Sequence, residues 1–254
     1  MTDAPPEPAI PAATVVVFRD RTDAPPELLI VERAKAMAFA AGALVFPGGR
    51  IDPGDRALAE RLGGDPDDTA ARIAAIRETV EEAGLPIGLV PSPEPAGLTA
   101  LRAALHGGED FAAALAVAGA RLDLDALVPF ARWLPQHPGM RIFDTRFYLA
   151  RLPADAPAAT VDATENVRLL WASAAQVLAD ANAGRATIIY PTRRNLERLA
   201  LFGGFDAAVA QARAIPVRTI TPFTQARDGR PHLCIPDDLG YPITAEPMGE
   251  AMRG

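Results

Sequence analysis

The most informative stretch of this chain reads RETVEEAGL and runs from Arg77 to Leu85. It holds three glutamates within five residues: Glu78, Glu81 and Glu82. Gly84 suits the position just past a helix end, because glycine takes the left-handed conformation at no steric cost. Asp67 or Asp68 can cap the start of the same helix. The stretch therefore predicts a helix over about 67–83.

The faces of this helix differ in character. At about 100° per residue, its apolar side chains fall on one stripe: Ile73, Ile76, Val80 and Ala83. The three glutamates fall on nearly the opposite side, so we expect them to point outward together. Like charges three or four residues apart repel by a few tenths of a kcal/mol, roughly, and a divalent cation reverses that sign. Clustered carboxylates suit Mg²⁺ or Mn²⁺; a solvated acidic face is the alternative.

A second segment, GALVFPGGR, runs from Gly42 to Arg50. Its apolar, strand-like part ends in a Pro-Gly-Gly turn, which frees backbone carbonyls and lets a ligand approach the chain closely. Together the two segments resemble the Nudix box, the signature of the Nudix hydrolases, G-x5-E-x7-R-E-U-x-E-E-x-G-U with U an apolar residue. The resemblance implies an α/β fold, an α/β/α sandwich around a mixed sheet.

The box departs from the pattern in its spacing. Arg77 lies 28 positions after Gly49, whereas the pattern has 14, so 14 additional residues are present. We expect them to form an extended surface loop with a short helical piece. Counted back from Arg77, the isolated glutamate of the pattern falls at Thr69, or just upstream at Asp68 or Asp67. Its loss weakens the support of the arginine.

The resemblance implies a metal-dependent enzyme that uses Mg²⁺ or Mn²⁺. The implied metal ligands are Glu78, Glu81, Glu82 and the carbonyl of Gly48. Glu78 is the predicted acceptor of the water's proton, and Arg77 is predicted to organise the carboxylates by reaching Glu81. The family often supplies another carboxylate before a late strand, for which Glu165 is the candidate; an ordinary surface loop residue is the alternative.

Substrate phosphate needs cationic partners. The candidates are Arg33, Arg50 and Arg146, each of which could hold phosphate bidentately or form an ordinary surface ion pair. Trp133 or Phe39 could stack on an adenine or line a pantetheine channel, with a place in the core as the alternative for Trp133.

The resemblance extends to a subgroup. Residues 28–34 with 42–49 are similar to part of the motif of coenzyme A-cleaving Nudix enzymes, although Ala38 stands where that motif has an arginine. With the enlarged box and a helical insert at about 94–128, they resemble the subgroup around the mammalian peroxisomal coenzyme A diphosphatase. The implied activity is hydrolysis of coenzyme A or acyl-CoA. The alternatives are hydrolysis of ADP-ribose, NADH or dinucleoside polyphosphates, and a Nudix-fold module that binds nucleotide without cleaving it.

Composition limits the partners. The net charge of −7 argues against nucleic acid and leaves a small nucleoside diphosphate compound as the expected partner. The single cysteine, Cys234, excludes an internal disulfide and favours a cytoplasmic location. We expect neither a signal peptide nor a membrane span, and the sequence leaves a homodimer open.

We predict a flexible tail over 1–13 and one domain over 14–254. Hydrophobic patterning predicts a hairpin of strands 14–18 and 27–33, and further strands at 43–46, 141–150, 167–171, 218–221 and 231–235. It predicts further helices at 98–106, 111–118, 173–182, 192–202 and 205–214.

Overall fold

The computed structural model describes residues 9–34, 40–136, 141–162 and 166–251. In chain order the strands are β1 (Ile10–Arg19), β2 (Glu27–Arg33), β3 (Leu44–Val45), β4 (Gly48–Arg50), β5 (Leu89–Val90), β6 (Arg121–Leu122), β7 (Val128–Trp133), β8 (Phe143–Arg151), β9 (Asn166–Ala172), β10 (Thr219–Ile220), β11 (Phe223–Arg227), β12 (Arg230–Cys234) and β13 (Ala245–Pro247). The helices are α1 (Pro53–Leu62), α2 (Pro66–Ala83), α3 (Pro95–His106), α4 (Phe111–Ala118), α5 (Ala174–Asn182), α6 (Tyr190–Leu199), α7 (Phe205–Ala214) and α8 (Met248–Ala251).

The centre of the fold is a mixed, eight-stranded sheet with the order β10-β7-β8-β1-β2-β3, in which β4 pairs with β1 and β9 with β2. β1 runs parallel to β8 along nine residue pairs and antiparallel to β2 only at its far end, where Phe18 faces Leu28. Nearer its start, β1 pairs with β4 instead, so that Thr14 faces Gly48. Because β1 pairs with β4 before it pairs with β2, the glycines of β4 lie beside a central strand of the sheet.

Helices cover both faces of the sheet, as the alternation of β1 requires. Val15 and Val17 pack in one apolar core with residues of α1 to α4. Val16 and Phe18 pack in a second core with residues of α5 to α7. The predicted α/β/α sandwich with a mixed sheet is therefore confirmed. Among the described residues, no helix is both long and apolar enough to cross a membrane.

Several local expectations differ from the structure. β1 begins at Ile10, inside the predicted tail, because its backbone pairs with the start of β8. The predicted Pro-Gly-Gly turn continues into strand β4, because Gly48 to Arg50 find hydrogen-bonding partners on β1. The enlarged part of the box, predicted as an extended loop with a short helical piece, contains the ten-residue helix α1, with Pro53 in its first turn, where a proline needs no hydrogen-bond partner for its nitrogen.

The cap of α2 also differs from the prediction. Asp65, not Asp67 or Asp68, is the N-cap, and its side chain accepts a hydrogen bond from the backbone N–H of Asp68 at 2.7 Å. The C-terminal end is as predicted, since Gly84 follows α2 with the left-handed angles φ 62° and ψ 32°. β7 was not predicted; it lies between β8 and β10 in the sheet.

Candidate active site

A cavity of about 540 Å³ opens beside the glycine strand β4. The glutamates of α2 line one part of it, and β4 and the start of β1 line the next part. Residues of β7 and β8 and the first turn of α6 complete the wall; they include Trp133, Thr145, Phe147, Pro191 and Thr192. Helix α2, the strand β4 and helix α6 therefore meet around one cavity.

Glu82 lies deepest among the glutamates, and only 4% of its surface is exposed. Its Oε2 accepts a hydrogen bond from the backbone N–H of Gly48 at 2.9 Å, and its Oε1 accepts one from Asn166 Nδ2 at 3.0 Å. Burial raises the pKa of Glu82 above its usual range, and these two donors oppose that shift. Two fixed donors thus hold the carboxylate against the cavity wall.

Glu78 and Glu81 share one arginine. Arg77 Nη1 donates to Glu78 Oε1 at 3.0 Å and to Glu81 Oε1 at 3.2 Å. Burial raises the pKa of Glu78, while the adjacent charge of Arg77 lowers it. The glutamates line the cavity instead of pointing outward as predicted, because α2 is covered by the sheet and by neighbouring elements on nearly every side.

Asp55, on the helix α1 inside the box, braces Arg77. It is buried, and its two oxygens accept from Arg77 Nε and Nη2, both at 3.0 Å. Arg77 Nη2 also donates to the carbonyl of Arg50 at 3.0 Å. Burial alone would lower the pKa of Arg77, but its hydrogen bonds with Asp55 and the surrounding carboxylates raise it. Arg77 is thus held from two sides as a permanent cation.

This contact corrects the position assigned to the missing box glutamate. Thr69 faces away from the site and donates its hydroxyl to the carbonyl of Gly63 at 3.1 Å. Counted forward from Gly49, the glutamate of the pattern falls at Asp55, an acid with a side chain one methylene shorter. The 14 additional residues therefore lie between Asp55 and Arg77. Counting forward from the glycine, instead of back from the arginine, would have identified Asp55 from the sequence.

The donor set fits a hard divalent cation, because three glutamates present oxygen atoms to one cavity and two of them are desolvated. Within the described ranges, no three acidic, histidine or cysteine side chains are arranged as a ready-made cation site. The contacts explain this: Glu78 and Glu81 bond to Arg77, and Glu82 bonds to Gly48 and Asn166. A cation would compete with Arg77 for the first two carboxylates.

The predicted substrate arginines divide into two groups. Arg33 and Arg50 line the cavity. The structure does not bring Arg146 there, because strand alternation turns it to the α2 side of β8, opposite Ala13, where it lies 3.6 Å from Asp68 Oδ1. The additional carboxylate candidate, Glu165, lies outside the described residues, as do Phe39 and Ala38. Trp133 belongs to the core and also borders the cavity.

Besides Asp55, four further residues at the site were not predicted from the sequence as contributors. His106 at the end of α3 and Arg141 before β8 add basic groups to the cavity lining. Asp162 adds an acid, and Asn166 holds Glu82. No local motif marks any of them, because they reach the site through tertiary structure.

Known proteins resemble this chain in structure. A crystal structure of a Nudix hydrolase from Alicyclobacillus acidocaldarius is 30% identical, covers 80% of this chain and 96% of its own, and superposes with a TM-score of 0.69. A MutT protein from Methanosarcina mazei Go1 is 15% identical over 77% of this chain and 96% of its own, with a TM-score of 0.44. An Ap4A hydrolase from C. elegans is 17% identical over 68% and 87%, with a TM-score of 0.38.

No protein-family model matches the chain. The identity and the coverage of the Alicyclobacillus enzyme nevertheless show the family, and the box carries its arginine and all three of its clustered glutamates. Nudix hydrolases are enzymes that act on pyrophosphate bonds and generally use divalent metal ions. This chain belongs to the Nudix hydrolase family.

Proposed function

We propose that this protein hydrolyses the diphosphate bridge of a nucleoside diphosphate derivative, with coenzyme A or an acyl-CoA as the substrate and Mg²⁺ or Mn²⁺ as the cofactor. The observation that carries the proposal is the convergence of Glu78, Glu81 and Glu82 on one cavity beside the glycine strand. The basic groups Arg33 and Arg50 on the same cavity suit an anionic substrate.

Each of these cavity residues has a proposed role. Glu78, Glu81, Glu82 and the carbonyl of Gly48 would hold the cation, which when bound neutralises phosphate oxygens and lowers the pKa of a water molecule. Glu78 is the proposed acceptor of the water's proton, since it lines the cavity beside Glu81 and Glu82. Arg77 keeps Glu78 and Glu81 on one side of the cavity.

The cavity also has room for the organic part of the substrate. Its lining also includes aromatic and apolar side chains, namely Phe46, Trp133, Phe143, Phe147 and Ile189. Such a wall suits a pantetheine chain or a nucleobase. The partial coenzyme A motif favours the former, and adenosine 3′,5′-bisphosphate and a 4′-phosphopantetheine compound are then the products.

Two measurements test this function. The first compares kcat/KM with Mg²⁺ for coenzyme A, acetyl-CoA, ADP-ribose, NADH and a diadenosine polyphosphate. A higher value for coenzyme A or its thioester supports the substrate assignment, whereas a preference for ADP-ribose rejects it. Turnover of none of these compounds at any metal concentration rejects hydrolysis itself and leaves binding as the function.

The second measurement uses Glu82→Gln. Its carbonyl can still accept from Gly48, and after a flip of the Asn166 side-chain amide its NH₂ group can donate to Asn166 Oδ1, which is buried and has no partner within the described part of the chain. The fold should therefore persist while kcat falls about 100-fold or more, because one anionic ligand is lost. The matched control is Glu60→Gln on the exposed side of α1. Equal kcat in the two variants would reject the site.

A further inference from the structure

The helical insert contributes one guanidinium to the end of the glutamate helix. Arg102 lies on α3 and crosses the C-terminus of α2, where Nε donates to the carbonyl of Glu81 at 2.8 Å and Nη2 to the carbonyl of Glu82 at 3.1 Å. The last turn of α2 contains no basic residue of its own. Arg102 therefore supplies, from another helix, the cation that the free carbonyls of a helix end attract.

The same side chain reaches a second segment of the site. Arg102 Nη1 donates to Thr160 Oγ1 at 2.7 Å, and Nη2 donates to the carbonyl of Thr160 at 2.9 Å. The backbone N–H of Thr160 in turn donates to the carbonyl of Ala83 at 2.9 Å. Two residues further on is Asp162, which lines the cavity.

Further hydrogen bonds connect Asp162 back to Glu82, one of the candidate metal ligands. Asp162 Oδ1 accepts from the backbone N–H of Asn166 at 3.2 Å, and Asn166 Nδ2 donates to Glu82 Oε1 at 3.0 Å. Glu82 is thus tied at its carboxylate through β9 and at its carbonyl through Arg102. The position of the carboxylate depends on both connections.

The box glycine makes room for this arrangement. A side chain added at Gly84 would place its first carbon 3.2 Å from Arg102 Nη1 and 3.3 Å from Thr160 Oγ1. Gly84 therefore serves two purposes, since it adopts the left-handed angle that ends α2 and leaves the space through which the guanidinium passes.

We propose that Arg102 is a positioning residue for hydrolysis: it sets Glu81 and Glu82 relative to the segment that carries Asp162. The inference rests on the proposed function of these glutamates and makes the helical insert part of the catalytic unit. Arg102 touches neither the substrate nor the reacting atoms in this role, and it acts through the backbone of α2.

The test compares two arginines that both join α2 to the insert region. Arg72 Nη1 donates to the carbonyls of Leu124 at 2.8 Å and Leu127 at 2.5 Å, but it lies in the N-terminal half of α2, before the turns that carry the glutamates. Arg102→Met and Arg72→Met should lose similar free energy of unfolding in urea. Only Arg102→Met should show kcat lowered about 10- to 100-fold and weaker Mn²⁺ binding by paramagnetic resonance.

KM for the best diphosphate substrate should change less than kcat in Arg102→Met, because the substrate arginines are untouched. Arg102→Lys should recover part of kcat, and it decides the question if Arg102→Met does not fold. Equal kcat and equal Mn²⁺ affinity in the Arg102 and Arg72 variants would overturn the inference. If the wild type hydrolyses none of the compounds, the proposed function is rejected, and the Mn²⁺ affinities of the two variants still decide the role of Arg102. If the wild type binds no Mn²⁺, both the proposed function and the role of Arg102 are rejected.

Discussion

Asp55 offers the sharpest test of how the enlarged box works. Asp55→Asn keeps the shape of the side chain and removes its charge. The native carboxylate accepts two hydrogen bonds from Arg77 and one from the backbone N–H of Asp52, at 2.8 Å. An asparagine offers one acceptor oxygen, and its NH₂ group would face a guanidinium that also only donates.

The magnitude follows from burial. Removing one partner of a buried ion pair costs about 3–5 kcal/mol, because the other charge stays buried without compensation. Arg77 retains Glu78 and Glu81, so we expect the lower end of that range. A loss of about 3 kcal/mol lowers Tm by roughly 6–12 °C for a domain of this size. We also expect kcat to fall about 10- to 100-fold, because Arg77 then holds the two glutamates less firmly.

Urea unfolding followed by circular dichroism measures the first quantity, and initial rates with the best diphosphate substrate measure the second. The matched control for stability is Asp52→Asn, which carries the same substitution near the same arginine. Asp52 Oδ2 lies 3.6 Å from Arg77 Nη2 and its side chain is 60% exposed, so this change should cost less than about 1 kcal/mol. Equal losses in the two variants would refute the argument that Asp55 replaces the box glutamate.

Two further changes test separate parts of the structure. Gly49→Ala should nearly abolish turnover, because the new carbon would lie 2.2 Å from Glu78 Oε1, whereas Gly54→Ala, with its nearest atom at 3.8 Å, should remain active in the same assay. Burial raises the pKa of Glu197 from its ordinary 4.5 to about 7, so the folded chain binds this proton more tightly than the unfolded chain. Its contribution to stability is therefore full below about pH 4.5 and is lost as the pH rises through about 7. Glu197→Gln should flatten that part of the urea-unfolding profile between pH 4 and 8, and an unchanged slope would contradict the shift.

The parts of the site that one element carries were predictable. Residues 77–84 lie on a single helix and its cap, so their relative positions follow from helix geometry, and the apolar stripe correctly placed Ile73, Ile76 and Val80 in the core. Whether the opposite face meets water is not a local property. It depends on β4 and on the first turn of α6, which cover that face from distant parts of the chain.

Contacts between elements account for what the sequence did not reveal. Asn166 reaches Glu82 because β9 pairs with β2, and Arg102 reaches α2 because the insert folds back on it. In the sequence alone, Asn166 and Arg102 look like ordinary surface residues. Arg146 shows the reverse error, since its strand was correctly predicted but the face on which the cavity lies was not.

Asp55 shows how spacing should be used when a motif is interrupted. A spacing is informative only where the chain between two positions keeps one conformation. Gly49 and Asp55 are separated by the rest of a strand and the start of α1, which is capped at Asp52, so the offset from the glycine survives. Between Asp55 and Arg77 the chain completes α1 and begins α2, and added residues change the count without moving either end. Counting back from Arg77 therefore does not locate the acid that pairs with it. In any Nudix box enlarged after this acid, the residue six places after the glycine is the first candidate for bracing the arginine.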